Sequence, residues 1–116
     1  MPMTKSEPYP IGNSNGSSAK IVLVSFNGDN VQSDDVEERM REENMRPARD
    51  EELDDFNNAH PAVCNDRLVV GLGTVKSQGG YRVVPCLDAG SPRRIYAEYR
   101  KRSWPIGTCF AAIPLG

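Results

Sequence analysis

Apolar positions along this chain gather into a few short runs separated by long polar stretches. The first run, "AKIVLVSF" over residues 19–26, carries Ile21, Val22, Leu23, Val24 and Phe26 and predicts a short buried strand, closed by turn residues at Asn27 to Asn30. Ser33, Asp34 and Asp35 then open a helix, with an acceptor side chain at its start and carboxylates facing the positive end of the dipole. Val36 and Met40, extended by Met45, form its thin apolar stripe, so this helix lies on the surface and ends at Pro47. Asp50, Glu51 and Glu52 open a second helix that buries Leu53 and Phe56, three residues apart, and stops at His60-Pro61.

Beyond His60 the pattern is β. "RLVVGLGTV" predicts a strand over Arg67–Val75, with Gly71 and Gly73 where larger side chains would crowd a neighbour. "SQGG" at 77–80 predicts a hairpin loop tolerant of positive φ. "YRVVPCLD" is the return strand, and Pro85 suggests an edge or a bulge. After a turn at 89–92, "RRIYAEYR" alternates and "TCFAAIPL" closes as a last apolar strand. The order predicts an α+β domain, with two helices packed on an antiparallel meander, over residues 19–116. Residues 1–18, rich in Pro, Gly, Asn and Ser, read as a flexible or extended arm, either a linker to a partner or a loosely held terminus.

At 116 residues the chain is one domain, long enough to bury about two-thirds of its unfolded surface without covalent staples. Its net charge of −2 argues against a general polyanion binder. That balance hides a segregation. Eleven of the sixteen acidic residues lie between Asp34 and Asp55, and five of the fourteen basic ones between Arg93 and Arg102. Cys64, Cys86 and Cys109 show no CxxC spacing; they read as buried thiols, with a Cys86–Cys109 bridge or a zinc site with His60 as weaker alternatives. A reducing or undemanding compartment follows from that reading. The N-terminus has neither a basic n-region nor an apolar h-region, and no stretch approaches the ~20 apolar residues of a membrane span. A soluble protein is expected, of unassigned location.

Catalytic groups are hard to assemble. His60, the sole histidine, stands at a helix end where capping suits it better than general-base work. The carboxylates of residues 50–55 occupy consecutive helical positions, a wet acidic face and not a converging pair. The glycines form neither GxGxxG nor a P-loop, and no Ser or Cys has a recognisable base. No enzyme, cofactor or metal site is expected.

Recognition chemistry concentrates instead in "RRIYAEYRKRSWPIG", Arg93 to Gly107. Read with a period of two, Arg94, Tyr96, Glu98 and Arg100 share one face, and Ile95, Ala97 and Tyr99 the other. The first set is long, amphipathic and hydrogen-bonding, as at binding hot spots. Beyond it, a loop carries Arg102, Trp104 and Ile106, and an exposed Trp beside arginines offers stacking and cation–π surface.

Arg46-Pro47-Ala48, Glu52-Leu53, Phe56, His60-Pro61, Val70-Gly71-Leu72-Gly73, Tyr81-Arg82, Val84-Pro85 and Leu87 together resemble a pattern of short archaeal and bacterial proteins. These are the variable, target-binding proteins of diversity-generating retroelements. The resemblance covers about three-quarters of the chain. It implies a minimal C-type lectin fold whose hypervariable C-terminal region, about residues 90–116, forms the ligand-binding face. The diversified positions would be Arg94, Tyr96, Glu98, Arg100, Arg102, Trp104, Ile106 and Thr108, with Ile95, Ala97, Tyr99 and Phe110 as scaffold. Its partner would be an unidentified macromolecular or cell-surface ligand. The alternative is a nucleic-acid-binding accessory protein using Arg93, Arg94, Arg100, Lys101, Arg102 and Trp104, through backbone phosphates and base stacking.

Overall fold

Strands buried on both faces read as unbroken apolar runs, and the sheet here is built that way. The computed structural model describes residues 3–11, 19–26, 31–65, 67–87, 94–98, 104–105 and 107–115, with the backbone alone at 64, 65 and 94–98. The strands are β1 (Met3–Lys5), β2 (Tyr9–Ile11), β3 (Ala19–Phe26), β4 (Met45–Pro47), β5 (Val69–Val70), β6 (Lys76–Gln78), β7 (Tyr81–Leu87), β8 (Arg94–Glu98) and β9 (Cys109–Pro114). The helices are α1 (Ser33–Glu42) and α2 (Asp50–Ala59), followed by a 3-10 turn at Pro61–Asn65.

β3 and β9 pair antiparallel at the centre, and β5 joins β9 in parallel. The sheet is therefore mixed, which corrects the all-antiparallel meander. The class, α+β, stands. Neighbouring residues of each strand feed opposite core layers. Val22, Val24, Val70, Val84, Cys86, Phe110 and Ala112 pack with Val36 and Met40 of α1. Ile21, Leu23, Val69, Leu87, Cys109, Ala111 and Ile113 pack with Leu53 and Phe56 of α2. The helices thus cover the two faces of one sheet. Cys86 and Cys109 are unbridged and lie in different layers, which rules out the bridge between them.

α1 ends sooner than Pro47. Asn44 adopts φ 58°, a left-handed residue of the kind that closes helices, and the Glu43 N–H bonds back to the Arg39 and Met40 carbonyls. Met45 accordingly belongs to β4, which pairs with β9. The start of α2 is fastened from two directions. Glu52 Oε1 accepts the Arg49 N–H at 2.8 Å, and the Thr74 hydroxyl accepts the Asp50 N–H at 3.0 Å.

Only Val69 and Val70 of the 67–75 run form a strand. The chain then bends around Ala48, whose carbonyl accepts the Gly73 N–H at 2.8 Å. A Cβ at Gly73 would stand 2.6 Å from that oxygen and 2.7 Å from the Pro47 carbonyl, so the glycine follows from a close approach of two backbones. The β6–β7 hairpin turns on Gly79 (φ 58°) and Gly80 (φ 86°), the double left-handed geometry of a two-residue loop.

The N-terminal arm is in part a sheet margin. β1 and β2 (residues 3–5 and 9–11) pair with β3, which corrects the flexible reading for this portion; residues 12–18 lie outside the described residues. From Lys5 to Tyr9 the arm advances four residues while its partners, Val24 and Ile21, are three apart, so it carries a bulge. Ser6 closes that bulge: its N–H donates to the Leu23 carbonyl and its Oγ accepts the Leu23 N–H, both at 2.9 Å. His60 holds the distal half. Its ring pairs with the Pro10 carbonyl through Nε2 at 2.8 Å and lies 5.1 Å from the Tyr9 ring, while its N–H caps α2 at Phe56.

Candidate recognition surface

β8 carries three of the expected contact positions, and its place follows from register. Val83 of β7 is opposite both Lys76 of β6 and Glu98 of β8, and Cys86 is opposite both Val70 of β5 and Ile95. A strand residue has two sides, so β5 and β6 share one side of β7 and β8 takes the other. Among the described residues β8 is the outermost strand, opposite in the sheet to β1 and β2. β7, paired on both sides, is no edge, contrary to the reading of Pro85. The Pro85 carbonyl accepts the Gly71 N–H at 3.0 Å, so its nitrogen also faces that side, just past the end of β5. The missing N–H therefore removes no bond to β8.

Arg94, Tyr96 and Glu98 stand opposite Leu87, Pro85 and Val83, while Ile95 and Ala97 stand opposite Cys86 and Val84 of the α1-side layer. Arg93, Tyr99, Arg100, Lys101, Arg102 and Ile106 lie outside the described residues. Two expected contact residues are placed elsewhere. Trp104, expected exposed, is 1% accessible and packs edge-on against Phe110 with ring centres 5.8 Å apart. Its Nε1–H donates to Ser33 Oγ at 3.0 Å and its backbone N–H to the Val31 carbonyl at 2.8 Å. Thr108 is also buried; its Oγ1 and its N–H both donate to the Pro105 carbonyl, in a tight turn that Gly107 makes possible at φ 88°. Both corrections share one cause. An indole buries more apolar area than any other side chain, and a polar partner for its N–H waits at the start of α1. Burial also removes Trp104 as a base-stacking platform. Phe110, expected as scaffold, is buried in the core.

The result is a segment anchored at both ends. β8 holds one end to β7, and Trp104 ties the other to the start of α1 before the chain enters β9. Nothing in the amino-acid sequence near Trp104 announces Val31 and Ser33 as partners, seventy residues away; the short polar stretch "VQS" before α1 carried no signal of a bridge.

Ion pairs also fasten parts of the fold. Arg46 and Glu52 form a two-pronged pair, Nη1 to Oε1 at 2.8 Å and Nη2 to Oε2 at 2.6 Å. Hydrogen bonding to Glu52 raises the Arg46 pKa, against the opposing effect of burial. For Glu52, burial pushes the carboxyl up, but hydrogen bonds from Arg46 and the Arg49 N–H outweigh it and hold the pKa below its ordinary value. The acidic face of α1 forms a shallow groove of about 310 Å³ lined by Asp35, Glu38, Arg39 and Glu42. Arg39 is engaged there with Glu42 at 2.7 Å and Glu43 at 3.8 Å. Among the described residues, no three His, Cys, Asp or Glu side chains gather as a metal-ligand set, and no helix is long and apolar enough to cross a membrane. No protein-family model, curated protein or solved structure matches the chain.

Proposed function

We propose that this chain is a target-binding display protein, and that the stretch from Arg94 to Ile106 is its recognition surface. The contact positions are Arg94, Tyr96, Glu98, Arg100, Arg102 and Ile106, with buried Trp104 and Thr108 as anchors. One observation carries the reading. The densest run of arginine and aromatic residues in the chain leaves an outermost strand and ends on a buried tryptophan, so its middle is tethered on both sides by the fold. Tethering lowers the entropy lost on binding. The mixed sheet with a helix on each face is compatible with a minimal C-type lectin arrangement, which we take as the fold. Its work is recognition without bond making or breaking, and its partner is a macromolecular or cell-surface ligand.

Deep sequencing of the source population tests the display reading. Codons for the six contact positions should vary while those for Trp104, Thr108 and Phe110 stay fixed. Uniform codons across residues 94–108 would remove the diversifying role. A mobility-shift assay with single-stranded nucleic acid at low salt should show no retardation, since the acidic helices repel phosphates and Trp104 is withdrawn.

A further inference from the structure

We propose that β8 is a pairing edge through which two copies of this chain associate, antiparallel and centred on Tyr96. Pro85 decides which backbone groups are available. Its carbonyl faces Gly71, so the Pro85–Tyr96 pair exchanges no hydrogen bonds, and the Tyr96 N–H and C=O point away from β7. By strand alternation the same holds for Arg94 and Glu98, whereas Ile95 and Ala97 bond to Cys86 and Val84. Among the described residues these outward groups line the outer side of the sheet. The opposite margin is blunted: β2 contains Pro10, which has no N–H to offer, and β1 ends in Lys5, paired with Glu43 at 3.2 Å. β8, Arg94-Ile95-Tyr96-Ala97-Glu98, has neither proline nor glycine.

The occupant follows from charge. The charge of β8 reverses sign about Tyr96, so a second copy lying antiparallel sets Arg94 opposite Glu98 twice, Ile95 opposite Ala97 twice and Tyr96 opposite itself. Both N–H···O=C bonds then form at each of the 94–98, 96–96 and 98–94 pairs. Other registers fail. A two-residue slip one way sets Arg94 opposite Arg100, and the other way sets Glu98 opposite Pro92, which lacks an N–H. Parallel pairing sets like charges together. The interface is isologous, as a two-fold homodimer requires. On the display reading, on which only this consequence rests, positions 94, 96 and 98 of both copies would lie on one continuous strand pair, and variation at 94 or 98 would retune self-association.

Sedimentation of the full chain, without any target, tests this at low salt over a concentration series reaching roughly 1 mM, the weak end of specific association. The native chain should dimerise. Arg94→Glu or Glu98→Arg alone should weaken the dimer by about tenfold or more, and the double exchange should restore it. Tyr96→Pro removes an N–H that points away from β7 and has no partner among the described residues, so it should abolish dimerisation while the circular dichroism spectrum stays native. A monomer at every concentration overturns the proposal. So does a dimer indifferent to either single reversal, or a double exchange that stays monomeric with a native spectrum. Because no target is present, these failures leave target binding standing, and invariant codons would leave the dimer standing.

Discussion

Replacing Trp104 separates an anchor from a contact residue. Its indole is 1% accessible, rests against Phe110 and donates to Ser33 Oγ at 3.0 Å. Truncation of a buried Trp to Ala costs about 3–5 kcal/mol through lost transfer energy and the cavity left behind. That is a large part of the ~5–15 kcal/mol that holds a domain folded, so Trp104→Ala is expected to be largely unfolded near physiological temperature. Trp104→Phe gives the graded measurement. It keeps most of the ring but loses the N–H···O bond, worth about 1 kcal/mol, and some packed volume, for a total of about 2 kcal/mol. In a domain of this size that lowers Tm by roughly 10 °C. Urea unfolding followed by tryptophan-independent far-ultraviolet dichroism measures it, and a cycle with Ser33→Ala should return a coupling of about 1 kcal/mol. If Trp104→Phe changed stability by less than about 0.5 kcal/mol, as an exposed residue does, the anchoring argument would fail.

Glu52→Gln breaks the two-pronged pair with Arg46. Both partners are partly solvated, so the expected cost at pH 7 is about 1 kcal/mol, read by urea unfolding. Because the folded-state carboxyl titrates below its ordinary 4.5, that contribution is present above about pH 4.5 and fades as pH falls through the lowered folded value; native and variant stabilities should converge once the carboxyl is protonated in both states. Gly73→Ala drives a methyl against the Ala48 and Pro47 carbonyls and should cost at least about 1–3 kcal/mol, seen as a lower urea midpoint. Ser6→Ala leaves the Leu23 N–H without its side-chain acceptor and should cost about 1 kcal/mol, with faster amide exchange at Leu23 as the local signature.

The unbroken apolar runs at 21–24 and 109–113 were legible because strands covered on both faces need no alternation, and β3 and β9 occupy those places. The second helix was equally plain: Leu53 and Phe56 are its buried pair and His60 its cap. Gly73 was readable as a crowded position, although its neighbour, the Ala48 carbonyl, was not. What escaped was non-local. Parallel pairing of β5 with β9 joins segments forty residues apart, and period-two patterning carries no sign of strand direction. The arm hid its strands because Pro8 and Pro10 read as loop, while Tyr9 and Ile11 are too few to mark a period. Asn44 ended α1 before Pro47 because one left-handed residue suffices. Trp104 misled most, since clustering with arginines resembles a hot spot whether the ring faces solvent or core.

Arg94, Tyr96, Glu98, Arg100, Arg102 and Ile106 are exchangeable, whereas buried Trp104 and Thr108 are not. A library randomised separately at Arg94, Tyr96, Glu98, Arg100, Arg102, Trp104, Ile106 and Thr108, sorted by protease resistance, measures this directly. Broad tolerance is expected at the six contact positions, with near-exclusive recovery of the native residue at Trp104 and of small hydroxyl residues at Thr108. Strict selection at the six positions, or free substitution at Trp104, would contradict it.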